Sequence, residues 1–326
     1  MSRIVAVVGS FNVDHVWMLD ALPVAGETRS ARYMSGPGGK GFNQAVAAAR
    51  SGAATRFICA LGEDAGGAYA RSLAVADDID LRDAHSDLPT GSAGIFVDAK
   101  GRNSIAVAGG ANDTLTAVHV RGTLSGDVPA VVLAQLETPS EAAIEAFALA
   151  RASGALTMLN PAPANVRVDA ALLAATDIVT PNETEFAALV RTHLGRELDA
   201  DAVRALADPA LHAICRELVP NGTVVVTLGS AGAFVSHADS RRRGDDASHY
   251  RIPAPKVAVV DTTGAGDAFN GALAASLALR PGQAFAANIR YAIAYASVST
   301  EQPGAAPSMP ARDAVHTRFP DAALPA

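Results

Sequence analysis

The sequence predicts an α/β fold: a mostly parallel central sheet flanked by helices on both faces, with a small second β-sheet beside it. Three observations carry this reading. Short apolar, β-rich runs alternate with Ala-rich helical segments, the rhythm of parallel strands joined by crossover helices. Those runs read as strands buried on both faces. Two stretches, residues 15–35 and 90–108, break the rhythm with strand-like segments and no helix between them.

In chain order, residues 4–8 form the first buried strand, and 55–60, 130–134, 156–160, 177–180 and 224–228 repeat the pattern. Helices are expected over 41–51, 66–76, 140–152, 183–191, 202–218, 265–278 and 283–298. "SAGIFVDAKGRNSIAVA" is a hairpin signature, two strands around the turn Ala99-Lys100-Gly101-Arg102. The chain reads as one domain, 1–326, with the small sheet drawn from about 15–36 and 90–108. Such a sheet can be a flap over a cleft or an edge extension. The Pro/Ala-rich tail from Gly304 onward reads as surface.

Composition narrows the function. Hydrophobic residues make up 49% and charged residues 18%, enough for a sizeable core. Net charge is −7, and the one basic cluster, Arg241-Arg242-Arg243, runs into Gly244-Asp245-Asp246, which reads as a short solvated loop. No nucleic-acid partner is expected. No apolar run approaches the ~18 residues of a membrane span, and the N-terminal run is too short for a signal peptide, so a cytoplasmic location is expected. Cys59 and Cys215 lack Cys or His neighbours and read as buried structural thiols.

Two glycine stretches carry chemistry. "GPGGKG", Gly36 to Gly41, fits G-x-G-x-x-G, but it lies some thirty residues after the first strand, where a dinucleotide fingerprint should follow at once. It reads instead as a bare loop opening a helix, with Lys40 and Asn43 aimed into a cleft. "DTTGAGDAFNG", Asp261 to Gly271, is more specific. Gly264 and Gly266 open a helix whose free N–H groups and dipole suit an anion. Asp267, in the first turn, would repel that anion unless it serves as a base. A base beside a phosphate cradle is what phosphoryl transfer to an alcohol requires. Further polar islands follow other strands: "GSFNVDH" with Asn12 and Asp14, "QLETP" with Glu137, "TPNETE" with Asn182 and Glu185, and "TLGSAG". Ligands of open α/β sheets bind at that end.

These motifs, with "GPGGKGFNQAVAAARSGA", "GANDTL", "NPAPA" and "QPGAAPSMP", run in order through nearly the whole chain. The sequence resembles the ribokinase-like (PfkB) family of carbohydrate kinases, and within it the ribose kinases. The resemblance implies a parallel sheet with a β-lid over the sugar, and ATP-dependent phosphorylation of D-ribose at its 5-hydroxyl. It assigns sugar contacts to Asn12, Asp14, Gly39, Lys40, Asn43 and Glu137, with Ala93 and Ile95 from the lid. Asp267 would be the base, and Gly264, Ala265 and Gly266 the anion hole. Asn182, Thr227, Gly229 and Gly232 would line the ATP site, with Asn182 and Glu185 organising Mg²⁺ largely through water. A K⁺ cage would come from Asp261, Thr263, Ser299, Gln302, Gly304 and Ser308; Asp261 as a plain helix cap is the alternative. The family also implies a homodimer through the lids. Phe42 stands where ribose kinases often have a small residue, and is expected to point away from the sugar. A kinase of another pentose or of a nucleoside is the alternative; small lid side chains and 5% aromatic content favour a free sugar. A non-catalytic sugar-binding regulator would lack the base or the anion hole, and a dehydrogenase rests only on the weak glycine match.

Overall fold

The computed structural model describes residues 3–126, 128–322 and 324. The apolar runs form the core of a nine-stranded sheet, whose strands are β1 (Ile4–Val8), β4 (Ala54–Gly62), β5 (Ile79–Ser86), β8 (Val131–Ala134), β9 (Leu156–Leu159), β10 (Ile178–Val179), β11 (Thr223–Thr227), β12 (Ala233–His237) and β13 (His249–Ile252). Their order is β13-β12-β11-β10-β9-β8-β1-β4-β5. From β11 to β5 every pairing is parallel, and β11–β12 and β12–β13 are antiparallel.

The sheet is buried from both sides because its side chains alternate between two apolar layers. Val5 and Val7 point into one core and Ala6 and Val8 into the other. The first layer is built by α1 (Lys40–Arg50), α9 (Ala265–Leu279) and α10 (Phe285–Ser299). The second uses α3 (Ala117–Leu124), α4 (Ser140–Ala152), α6 (Glu183–Leu194) and α8 (Asp208–Leu218). The remaining helices are α2 (Ala65–Ala76), α5 (Ala170–Ala174), α7 (Ala200–Val203) and α11 (Arg312–Arg318).

The two stretches that broke the rhythm form a separate four-stranded sheet from β2 (Asn12–Met18), β3 (Arg32–Gly38), β6 (Ser92–Val97) and β7 (Asn103–Ala108), ordered β3-β2-β6-β7. Asp14 lies between Gly36 and Ala93, and Val16 between Met34 and Ile95. Asp14, Ala93 and Ile95 therefore share one face with Ile105 and Val107. The opposite face holds Trp17 between Phe96 and Tyr33, at ring separations of 5.1 and 5.4 Å.

Three expectations change. The helix expected over 202–218 is two, α7 and α8, because Pro209 is tolerated in a first turn and not in a helix interior. The tail is only partly surface: Ala305, Ala306, Ser308, Met309, Val315 and Leu324 are buried, and Arg50 donates to the Ala306 and Met309 carbonyls. The Arg241–Asp246 segment is largely exposed, as expected, but several of its side chains are docked. Arg241 pairs with Asp177 at 2.6 Å, Arg243 donates to Thr223 Oγ1, and Asp245 accepts from Tyr250 and from the Ala286 N–H. Burial pushes the neighbouring His237 imidazole down to about 4. Cys59 and Cys215 are free and buried.

Candidate active site

The first glycine stretch is a packing device. Gly36 and Gly38 belong to strand β3, and Gly39 caps α1 with φ 86°. A Cβ on Gly39 would stand 2.8 Å from the Ser10 carbonyl, and one on Gly41 2.5 Å from the Ser10 nitrogen. Only glycines let the start of α1 press against the connection from β1 to β2. The dinucleotide reading ends there, since this stretch leaves the small sheet and not β1. The close approach lets Glu137 Oε2 accept from Ser10 Oγ at 2.6 Å and from the Lys40 N–H at 3.0 Å. Phe42 points into the core, 1% exposed, edge-on to Phe11 at 5.1 Å.

The second glycine stretch opens α9. Gly264 is its N-cap, with φ 74°, and Asp267 follows in the first turn, 7% exposed. Asn43 Nδ2 donates to Asp267 Oδ2 and Gln44 Nε2 to Oδ1, both at 2.9 Å. Burial pushes the Asp267 carboxyl up, while Lys40, Gln44 and Asn43 pull it back toward the ionised form. Lys40 faces four carboxylates. Burial alone would lower its ammonium, but Asp267, Glu137, Glu185 and Asp14 hold it above its ordinary value. Asp14 is pushed up to about 6, first by burial and then by Glu137 and Asp267.

Two cavities meet at this point. The larger, 640 Å³, is lined by Asn182, Thr227, Gly229, Gly232 and Gly266, the residues expected at the nucleotide, and walled by Val257, Phe269 and Ile293. The smaller, 180 Å³, is lined by Lys40, Glu185, Gly264 and Asp267, and shares Asn182, Thr227 and Gly266 with its neighbour. Apolar walls beside a polar floor suit a flat base with a phosphate tail. Of the three residues expected to form the anion hole, Ala265 donates its N–H to the Thr262 carbonyl at 3.1 Å.

Asn182 and Glu185 form a reciprocal capping box on α6: the Glu185 N–H reaches Asn182 Oδ1 at 2.9 Å, and Glu185 Oε2 accepts the Asn182 N–H at 2.9 Å. Glu185 Oε1 also accepts from Asn182 Nδ2 at 3.0 Å, and the residue lines the smaller cavity. Among the described residues no three His, Cys, Asp or Glu side chains cluster to hold a metal, so these two fit Mg²⁺ only together with waters and phosphates.

Asp261 does not cap α9. Its Oδ1 accepts from Thr263 N at 2.9 Å and its Oδ2 from Gly304 N at 2.8 Å. Although burial opposes it, these bonds from Gly304 and Thr263 hold the Asp261 carboxyl below its usual range. The loop before α9 thus meets the segment carrying Ser299, Gln302, Gly304 and Ser308.

Several residues at the site escaped sequence reasoning. Asn112 donates to Asn12 Oδ1 at 2.8 Å and to the Phe11 carbonyl at 3.0 Å, which turns the Asn12 amide nitrogen away as a donor. Gln44, Asn160 and Asn270 are buried amides near Asp267 or the smaller cavity. For Asn160 and Asn270 a signal was present: amides set among apolar or small neighbours, where burial demands partners.

Comparison with known proteins agrees with this geometry. The model of the pfkB family carbohydrate kinases matches residues 2–312. The chain is 36% identical to a ribokinase of Haemophilus influenzae, over 96% of this chain and 97% of that one. It is 39% identical to a bifunctional ribokinase/ribose-5-phosphate isomerase A of Fructilactobacillus sanfranciscensis, over 97% of this chain, and spans 56% of that protein's length. The structure of Arabidopsis thaliana ribokinase complexed with ribose and ATP superposes with a TM-score of 0.80, at 30% identity, over 97% of this chain and 98% of that one. The large, mostly parallel sheet flanked by helices and the small separate sheet are thus shared ground, and the chain belongs to the pfkB family of carbohydrate kinases.

Proposed function

We infer that the chain transfers the γ-phosphoryl group of ATP to the 5-hydroxyl of D-ribose, giving ribose 5-phosphate and ADP. The single observation that carries the reading is Asp267: a buried carboxylate on the wall of the smaller cavity, next to the residues of the larger one. Asp267 accepts the hydroxyl proton as the sugar oxygen bonds to phosphorus, and the bond to the leaving ADP oxygen breaks. Gly264 and Gly266 at the N-terminus of α9 receive the charge on the transferring oxygens. Asp14 and Glu137 accept sugar hydroxyls, Asn12 donates, and Gly39, Lys40, Asn43, Ala93 and Ile95 complete the sugar's surroundings.

Four carboxylates around one lysine leave the site negative, so phosphates need a cation. Mg²⁺, held through water by Asn182 and Glu185 and by the phosphates, would supply charge neutralisation. A K⁺ at Asp261, Thr263, Ser299, Gln302, Gly304 and Ser308 would hold the α9 entry loop; the contact between Asp261 and Gly304 supports this by bringing both walls together. A homodimer through the small sheets is supported by the exposed Met18, Met34, Ile105 and Val107, all on the Asp14 face. The two free thiols fit a cytoplasmic location. No helix among the described residues is long and apolar enough to cross a membrane.

A coupled assay of ADP release over a panel of pentoses, hexoses and nucleosides tests the reading. Ribose should give the highest kcat/KM. A nucleoside above every free sugar, or ATP hydrolysis unaffected by any of them, would overturn it.

A further inference from the structure

Beneath Asp267 lies a chain of side-chain amides whose polarity is dictated by its ends. The Thr180 carbonyl can only accept, so Asn160 turns its Nδ2 toward it, at 3.2 Å. Asn160 Oδ1 then faces Gln44 Nε2 at 3.0 Å. The Asp267 carboxylate, when ionised, also only accepts, and takes the same Gln44 nitrogen on Oδ1 at 2.9 Å. Gln44 Oε1 is left as the acceptor for Gln135 Nε2, at 2.5 Å. Neither end allows Gln44 to flip without setting two acceptors against each other.

We propose that Gln44, locked by Asn160 and Gln135, is a positioning residue that holds the rotamer of Asp267 and keeps its carboxylate ionised and aimed at the substrate hydroxyl. This rests on the reading of Asp267 as the base. Gln44 is fully buried and does not line the smaller cavity, whereas Asp267 does. Its N–H therefore approaches the carboxylate from the protein side and leaves the cavity side for the sugar. Asn43 holds the second oxygen. The charged groups facing Asp267 are Lys40 on α1, Glu137 after β8, Asp14 on β2 and Glu185 on α6. Lys40 opposes three like charges, and a neutral donor from behind favours the ionised base without adding charge to a crowded site.

The test is Gln44→Met, which keeps the length and removes the donor. Expected are a kcat at least ten-fold lower, a ribose KM within three-fold of wild type, and an acid limb of the kcat profile displaced about one pH unit upward. The direction follows because loss of a donor to the ionised form raises the carboxyl's pKa. Gln135→Met, which only unlocks the Gln44 amide, should shift the limb the same way by less, and it decides the matter if Gln44→Met does not fold. Wild-type kcat with an unmoved acid limb in a folded variant overturns the proposal. Asp267→Asn run in parallel separates the two ideas: residual activity there would remove Asp267 as base, whereas its inactivity beside a wild-type-like Gln44→Met would sink only the positioning role.

Discussion

Replacing Asp14 with Asn should make the protein more stable and a worse enzyme. Burial, with Glu137 and Asp267 nearby, pushes the carboxyl of Asp14 up to about 6 in the folded chain against an ordinary value of 3.8. That difference corresponds to about 3 kcal/mol of destabilisation by the ionised form at pH 8. The sign follows from the direction of the shift. The folded state binds the proton more tightly, so the cost is complete above the folded value and shrinks as pH falls through it. By pH 5 about half remains, and below the unfolded value none does. The amide still suffers desolvation, so a net gain of about 1–2 kcal/mol is expected at pH 8, a few degrees in Tm for a chain of this size. Asn offers no charge to the sugar hydroxyls, and losing charge-assisted bonds of about 1.5–3 kcal/mol should weaken ribose at least ten-fold. Scanning calorimetry of both proteins without substrates at pH 8 and pH 5, with ribose titration calorimetry, reads all three quantities. A variant that melts below wild type at pH 8, or a gain equal at both pH values, would refute the argument from burial and charge repulsion.

Asp267→Ala should abolish turnover while ribose affinity and Tm stay near wild type; activity within a few-fold of wild type would remove it from the mechanism. Gly232→Ala, at φ 91° with a Cβ that would collide with the Ile252 carbonyl, should cost at least about 1–3 kcal/mol and raise the KM for ATP more than that for ribose. Initial rates in Tris buffer at constant ionic strength should rise with KCl far more than with NaCl, and a flat response would sink the K⁺ cage alone. Light scattering at micromolar concentration should give twice the chain mass, with Ile105→Asp shifting it toward monomer.

The centre of the fold was legible because β1 and β8 are apolar throughout and β11 carries three valines between its terminal threonines, which few structures other than a doubly covered sheet tolerate. The edge was not. In β5, Asp80, Arg82 and Asp83 interrupt the pattern; Arg82 pairs with Asp80 within the strand, while Arg56 and Arg71, the partners of Asp80 and Asp83, lie on other elements. The antiparallel β12 and β13 went unread for a related reason: their register depends on β11, not on local periodicity. At the site, residues that a helix start or strand end displays, such as Asp14, Lys40 and Asp267, could be read one by one. The amide pairs could not, since Asn12 meets Asn112 across 100 positions and Gln44 meets Asn160 across 116. Only the folded backbone brings such partners together.

Strand β2 begins at Asn12, four residues after the last residue of β1, and Asn12 and Asp14, the proposed sugar contacts, belong to it. On that reading the cover and the recognition surface are one piece of backbone. A swing of the small sheet away from the main one would draw Asp14 away from Asp267 and Lys40, dismantling the electrostatic neighbourhood of the base. On the proposed assignment of Asn12 and Asp14 to the sugar, a site without sugar would be an incomplete one, and the residues that select the sugar would also restrain wasteful hydrolysis of the nucleotide.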